Sequence, residues 1–309
     1  YAWNLQVEDE VLKRMEDSGK GRVYIVPSGD IEFIQLNITD PWNEVDGERA
    51  SVKSKHFAFS DPAVRQAMSL LADRKSMQEF IYGRTGIATP NFLNNPSKYR
   101  STNNKMDFNV DKASQLLEAA GWKKGADGVR EKGGKKLKFV FQTSVNSLRQ
   151  KEQAVIKQAC QKAGVDLELK SVTASVFFSS DVANPDTYGK FWCDMQMYTT
   201  TMTQPDPERF MDQYLTREIS AKANKWNLRN ITRWSSEEYD KTFHEAEAEL
   251  DPVKRTALFI KMNDLPVQAN IVIPLMSRPR VRGAATKLVT QLSGWDLDLS
   301  GLHNWYRES

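Results

Sequence analysis

Histidines, cysteines, carboxylates and a run of threonines are where chemistry could sit in this chain. His56, His244 and His303 lie far apart, and none has a second histidine or cysteine at the few-residue spacing that zinc sites use. The sequence therefore offers no metal site. Cys160 and Cys193 cannot form a Cys-x-x-Cys pair. Cys160 falls on the apolar stripe of a helical stretch, which reads as a buried thiol; a Cys160–Cys193 disulfide is the alternative, and an oxidising compartment would permit it. Glu245, Glu247 and Glu249 alternate along a helix and point to different faces, so they make no acid/base pair. No Gly-x-Ser-x-Gly elbow, phosphate-binding loop or dinucleotide fingerprint is present, and no cofactor is implied.

One cluster suggests recognition rather than catalysis. Tyr198-Thr199-Thr200-Thr201-Met202-Thr203-Gln204-Pro205-Asp206-Pro207 follows a strand-like stretch. A strand end rich in small hydroxyls and broken by prolines offers many hydrogen-bonding groups on a stiff segment. Asp206 reads equally well as the cap of a helix starting at Pro207. Arg233 and Trp234 lie in a polar stretch with no amphipathic period, where a tryptophan either covers the core or stacks on a ligand. The candidate ligand-binding residues are Tyr198, Thr200, Met202, Thr203, Gln204, Asp206, Arg233 and Trp234. Trp295 and Trp305 read as anchors of the C-terminal tail.

The chain has 309 residues, with 43 basic and 40 acidic side chains and a net charge of +3. A 40% hydrophobic content fills a core and excludes a disordered chain. Charges of both signs are interleaved rather than gathered in a stripe, which argues against nucleic-acid binding. No apolar run approaches the roughly 18–20 residues that span a bilayer. The first residue is Tyr1, with no methionine, charged n-region or apolar h-region, so either a leader was removed or the chain belongs to something longer.

Helix starts are marked by Asp61-Pro62, Asn109, the stretch from Leu148, the Ser235/Glu238 capping-box spacing and Asp251-Pro252; Gly83, Gly121 and Gly164 mark stops. Strands are expected at 136–144, 165–172, 191–199 and 271–276. A strand, helix and strand over 136–172 predict a partly parallel sheet in an α/β or mixed α+β fold. Residues 84–108 and 216–236 read as long surface loops.

Phe59-Ser60-Asp61-Pro62-Ala63-Val64-Arg65-Gln66-Ala67 followed by Ala72-Asp73-Arg74 resembles a segment of the family 5 extracellular solute-binding proteins, the peptide/nickel/opine receptors of ABC importers. The likeness continues through Asp111-Lys112-Ala113, Leu116-Leu117, Ala119-Ala120-Gly121-Trp122 and Asp127-Gly128-Val129-Arg130. It resumes at Asp206-Pro207, at Arg233-Trp234 through Tyr239-Asp240, at Asp251 with Arg255, and at Ile273-Pro274-Leu275, in order over about residues 30–285.

The resemblance implies one lobe of a type II periplasmic-binding-protein fold. Residues 1–40 would end the N-terminal part of lobe I, with a crossover strand near 31–37; residues 41–270 would form lobe II, and 271–309 would return to lobe I, most of which is missing along with the leader. It implies a monomeric periplasmic or extracellular receptor, free or lipoprotein-anchored, that closes two lobes on a peptide or sugar and presents it to permease subunits. A sensor of the same fold and, further off, a hydrolase are the alternatives. In peptide-binding members an aspartate three residues before the Asp/Glu-Pro pair takes the ligand's α-amino group, and a tryptophan lies three residues earlier. Those positions are Thr203 and Thr200 here. A hydroxyl supplies no counter-charge to a buried ammonium, so a ligand without a free amine is favoured, such as an oligosaccharide or a capped peptide.

Overall fold

The computed structural model describes residues 1–295, 299 and 301–309. Helix α1 (Asp9–Asp17) leads into a long strand, β1 (Gly21–Leu36), of which the expected strand at 31–37 is only the second half. Helix α2 (Pro62–Leu70) starts where predicted: Asp61 accepts the Ala63 N–H, and Pro62 fills a first-turn position that needs no donor. A two-residue strand, β2 (Ile87–Ala88), and helix α3 (Val110–Ala119), capped by Asn109, follow.

Next come β3 (Lys138–Ser144), α4 (Ser147–Ala163) and β4 (Asp166–Val172), with α4 closed by Gly164 in the left-handed region at φ 85°. A short helix, α5 (Ala174–Phe177), precedes β5 (Met195–Met202). Two further helices, α6 (Glu237–Ala248) and α7 (Pro252–Gln268), lead to a second long strand, β6 (Val272–Ala285). The cap of α6 is Ser236, not Ser235: its hydroxyl accepts the Tyr239 N–H, while Ser235 hydrogen-bonds the Thr216 hydroxyl.

These strands form one six-stranded sheet in the order β2–β6–β1–β5–β3–β4. β3 pairs in parallel with both β4 and β5, as the strand–helix–strand order predicts, whereas β1 runs antiparallel to β5 and β6. The sheet is therefore mixed, with a core on each face. On one face Ile34, Leu36, Phe139, Phe141, Leu167 and Met197 pack against α2, α3 and α4. On the other, Ile31, Phe33, Tyr198 and Met202 pack with Tyr239, Phe243, Phe259 and Met262 of α6 and α7.

The structure corrects two expectations here. Cys160 and Cys193 are both free and buried, and they belong to the cores on opposite faces, so they form no disulfide. Nor are 84–108 and 216–236 surface loops throughout. Phe92, Leu93, Tyr99 and Ile231 are buried, and asparagine amides replace a strand ladder. Asn263 Oδ1 accepts the N–H groups of Phe92 and Leu93, both at 2.9 Å, and Asn230 donates to the carbonyls of Leu215 and Trp234. A buried loop must satisfy its backbone in this way, because an unpaired buried peptide group costs as much as a lost hydrogen bond.

A further node was invisible in the sequence. Asp194, just before β5, accepts from His56 Nε2 (2.9 Å), Trp42 Nε1 (2.8 Å) and the Val140 N–H (2.7 Å). His56 Nδ1 in turn accepts the N–H groups of Ala58 and Phe59, which places the ring proton on Nε2. With His56 at 0% and Asp194 at 1% exposure, this pair is sealed from any substrate and is structural.

Candidate functional site

In a mixed sheet the carboxyl ends of the parallel strands open toward solvent where their connections diverge, and ligands collect there. In this chain those ends lie at Ser144 of β3 and beyond Thr199 of β5, and they border a cleft of about 1110 Å³. The start of α4 (Asn146, Arg149), Phe178 after α5, Asp30 of β1, Arg278, Arg280 and Arg282 of β6, and the segment from Trp3 to Gln6 also line it.

Strand alternation decides which threonines face it. Thr199, Thr201 and Thr203 line the cleft with Gln204. Tyr198, Thr200 and Met202 have the opposite parity. Tyr198 is buried among Phe33, Phe177 and Tyr188 and donates to Gln35 Oε1 at 3.1 Å; Met202 is core; Thr200 is paired with Ile31 on that same face. The remaining candidates also lie outside the cleft lining. Asp206 holds Arg255 at 2.6 and 3.2 Å and caps the Glu208 N–H; burial alone would raise its carboxyl, but the Arg255 bonds outweigh this and hold it below its usual range. Arg233 is buried and donates to the carbonyls of Ile231 and Lys190. Trp234 packs edge-on to Tyr239 at 5.6 Å. Of the sequence candidates, only Thr203 and Gln204 border the cleft. Trp295, expected as a tail anchor, lines it too, whereas Trp305 meets the Tyr1 ring at 4.8 Å.

The floor is a buried charge cluster that the sequence reading missed. Glu32 sits opposite Thr199 in the β1–β5 register and receives Arg149 Nε at 2.8 Å, Arg149 Nη2 at 3.3 Å, Arg278 Nη1 at 3.1 Å and the Thr199 hydroxyl. Arg149 also donates to Ser144 Oγ and Thr199 Oγ1, both at 2.9 Å. Burial pushes the Glu32 carboxyl up, but the two guanidiniums prevail and hold it below its ordinary value. Glu152, one helical turn after Arg149, goes the other way. Burial and the Glu32 charge hold its carboxyl well above the normal range, with Tyr82 Oη donating to Oε2 at 3.1 Å. Of the two acids, Glu152 is thus the one pushed toward its neutral form, and its Oε1 is buried without a hydrogen-bond partner. The visible hint was the alternation Arg278-Pro279-Arg280-Val281-Arg282, which puts three cations on one face of a strand.

A raised folded pKa adds stability below the unfolded carboxylate value and loses it as pH climbs toward the folded one. Glu152→Gln, which mimics the protonated acid, is therefore expected to gain stability relative to the parent protein as pH rises from about 4 to 8. Urea midpoints across that range check this. A constant difference would contradict a neutral Glu152.

Comparison with known proteins gives a family. The model of the bacterial extracellular solute-binding proteins, family 5 (middle), matches residues 3–222. A probable ABC transporter-binding protein of Deinococcus radiodurans is 30% identical over 172 residues, covering 52% of this chain and 27% of that protein. The oligopeptide-binding protein AppA of Bacillus subtilis is 30% identical over 194 residues, 53% of this chain and 34% of that one. In structure, the oligopeptide-binding protein of Thermus thermophilus, complexed with a pentapeptide, superposes with a TM-score of 0.76 at 21% identity, over 90% of this chain and 47% of that one. NikZ of Campylobacter jejuni, in complex with Ni(L-His), gives 0.76 at 17% identity, over 96% and 56%. The chain thus spans about half the length of these solved structures, with which it shares the mixed α/β fold of a type II periplasmic-binding-protein lobe.

Proposed function

The chain belongs to family 5 of the bacterial extracellular solute-binding proteins, and from that membership we propose that it acts in an extracytoplasmic ABC-importer receptor for peptide-like solutes. On this reading residues 41–270 form one lobe and residues 1–40 and 271–309 belong to the other. Closure of the lobes on a ligand, by hinge bending along β1 and β6, then presents a closed form to permease subunits in the membrane. The observation that carries the proposal is the cleft at the carboxyl ends of β3 and β5, lined by hydroxyls and guanidiniums instead of a catalytic constellation. The peptide class is favoured by the names of the relatives, and the periplasmic or extracellular location by the family.

Thr203 sets the ligand's preferred form. It borders the cleft where the resemblance places an amine-binding aspartate, and its own hydroxyl supplies no counter-charge to an ammonium. Peptides with a blocked amino end therefore suit the site better. Isothermal titration of the intact receptor, with both lobes present, against a pentapeptide and its N-acetylated twin tests this. The acetylated form is expected to bind at least as tightly as the free amine. Tight binding that is lost on acetylation would overturn the preference, and silence from both would overturn the receptor reading.

A further inference from the structure

We infer that helix α1 is a charged clasp across the lobe boundary, which holds the cleft in its narrow form and slows release of the ligand. This rests on the two-lobe receptor reading above and adds a retention device to it. On that division α1 and the segment before it go with residues 1–40, whereas Arg84, Asn146 and Lys151 go with residues 41–270. Gln6, Glu8, Asp9 and Glu16 all reach across. Asp9 Oδ1 accepts from Arg84 Nε at 2.6 Å, and Asp9 Oδ2 accepts the Arg84 backbone N–H at 3.2 Å. Glu16 accepts from Arg84 Nη2, Glu8 Oε1 from Lys151 Nζ at 2.7 Å, and Gln6 Oε1 from Asn146 Nδ2 at 3.0 Å.

Helical spacing sets these groups on one side. Asp9, Leu12 and Glu16 recur every three to four residues and share a face of α1. Leu12 is fully buried although it belongs to neither core of the sheet. Opposite this face the chain turns at Gly83 with φ 52°, and a Cβ there would stand 2.5 Å from Asp9 Oδ2. A glycine at this turn lets the Arg84 backbone come close enough to bond Asp9.

Motion across the boundary has a defined place to occur. β1 pairs with β6 as Val26↔Arg280 and next as Asp30↔Arg278, so residues 27–29 stand opposite Pro279 alone. A bulge of this kind bends a strand, and neither Pro27 nor Pro279 has an N–H for the ladder. Beyond the bulge, Glu32 ties β1 to Arg149 of α4 and to Arg278 of β6. Before it lie α1 and residues 21–26, where β1 pairs with β6 but not with β5. Bending at the bulge therefore swings α1 away from Arg84 and Lys151. It also parts Gln6 from Asn146, which line the cleft together, so the engaged clasp corresponds to the narrow cleft.

The test uses the intact receptor with both lobes, as the parent and as Arg84→Gln/Lys151→Gln, each checked for folding by circular dichroism. Spin labels on Arg14→Cys of α1 and Gln158→Cys of α4, both exposed positions, report the distance between the two helices without ligand. Cys160 and Cys193 are buried and stay unlabelled. The parent is expected to give a narrow distance distribution, and the double variant a broader and longer one, as does the parent in high salt. An exposed ion pair shifts an equilibrium by roughly twofold to fivefold, so stopped-flow release of an N-acetylated pentapeptide should be about tenfold faster in the double variant. Lys138→Gln, which removes an exposed ion pair with Asp166 inside one lobe, should move neither readout. An unchanged distance distribution, or an unchanged release rate, overturns the clasp. A distribution that broadens in a receptor unable to bind either the acetylated or the free pentapeptide leaves the clasp standing and overturns the peptide reading.

Discussion

Glu32→Ala is expected to remove about 3–5 kcal/mol of folding stability, the range for breaking a buried ion pair from one side. The loss is large because of what remains rather than what goes. Glu32 accepts from both guanidiniums and from Thr199, and no solvent reaches it at 0% exposure. With the carboxylate gone, two buried cations face each other across the floor. Glu152 is the one acid of the cluster still able to answer, because the Glu32 charge is among the causes that hold it protonated. It should then give up its proton and recover part of the loss.

That response gives the prediction a signature. Glu32→Ala combined with Glu152→Gln should lose more than the two single changes added together, since the contacts are shared. Urea unfolding with constant slope measures each loss. The pH dependence follows from the lowered Glu32 pKa: its contribution is present above the unfolded carboxylate value of about 4.3 and lost as pH falls through the lower folded value. The gap between the parent protein and Glu32→Ala should therefore shrink in acid. A loss under about 1 kcal/mol at neutral pH would mean that water, not Glu32, compensates the arginines.

The contrast between Glu32 and Thr203 shows what a sequence can and cannot reveal about such a site. Helix starts were legible because Asp61, Asn109 and Asp251 act locally, through a side chain that bonds a backbone N–H two or three residues on. The parallel β3–α4–β4 unit was legible because period-two and period-3.6 patterns are local as well. Thr203 and Gln204, which border the cleft, came from the same kind of local reading, as the polar end of a strand. Tyr198, Thr200 and Met202 were picked from the same run, yet only the sheet's two faces decide that odd positions meet the cleft and even positions meet Phe33 and Tyr188.

Glu32 carries no local mark at all. It sits in Ile31-Glu32-Phe33-Ile34-Gln35-Leu36, where the apolar neighbours predict a strand and say nothing of a charge partner. Its partners Arg149 and Arg278 lie 117 and 246 residues away. The same holds for the asparagine-braced loops, which read as polar surface because asparagine is usually a turn residue. Here Asn263 and Asn230 are spent on distant or buried backbone groups, a use that composition cannot separate from solvent exposure.

Asp194→Ala should produce the second large effect, a loss of about 2–6 kcal/mol, and by a different route. No ion pair is broken, because His56 is fixed as a neutral donor by the two backbone N–H groups that its Nδ1 accepts. What is lost is an acceptor shared by three donors. Trp42, at 51% exposure, can turn to water, so its indole contributes little. His56 Nε2 and the Val140 N–H cannot, and each buried donor left unsatisfied costs about 1–3 kcal/mol. Asp194→Asn should retain much of the stability, since its Oδ1 still accepts from His56 while its amide nitrogen opposes only the Val140 N–H. The order parent, Asn, Ala in urea midpoint is the expected result, and equal losses for Asn and Ala would show that a negative charge is required at this position. Because Val140 lies in β3, four residues from the Ser144 that borders the cleft, the Ala variant also separates stability from recognition. In the intact receptor below its unfolding transition, affinity for the N-acetylated pentapeptide should be unchanged, as Glu32, Arg149 and Arg278 take no bond from Asp194.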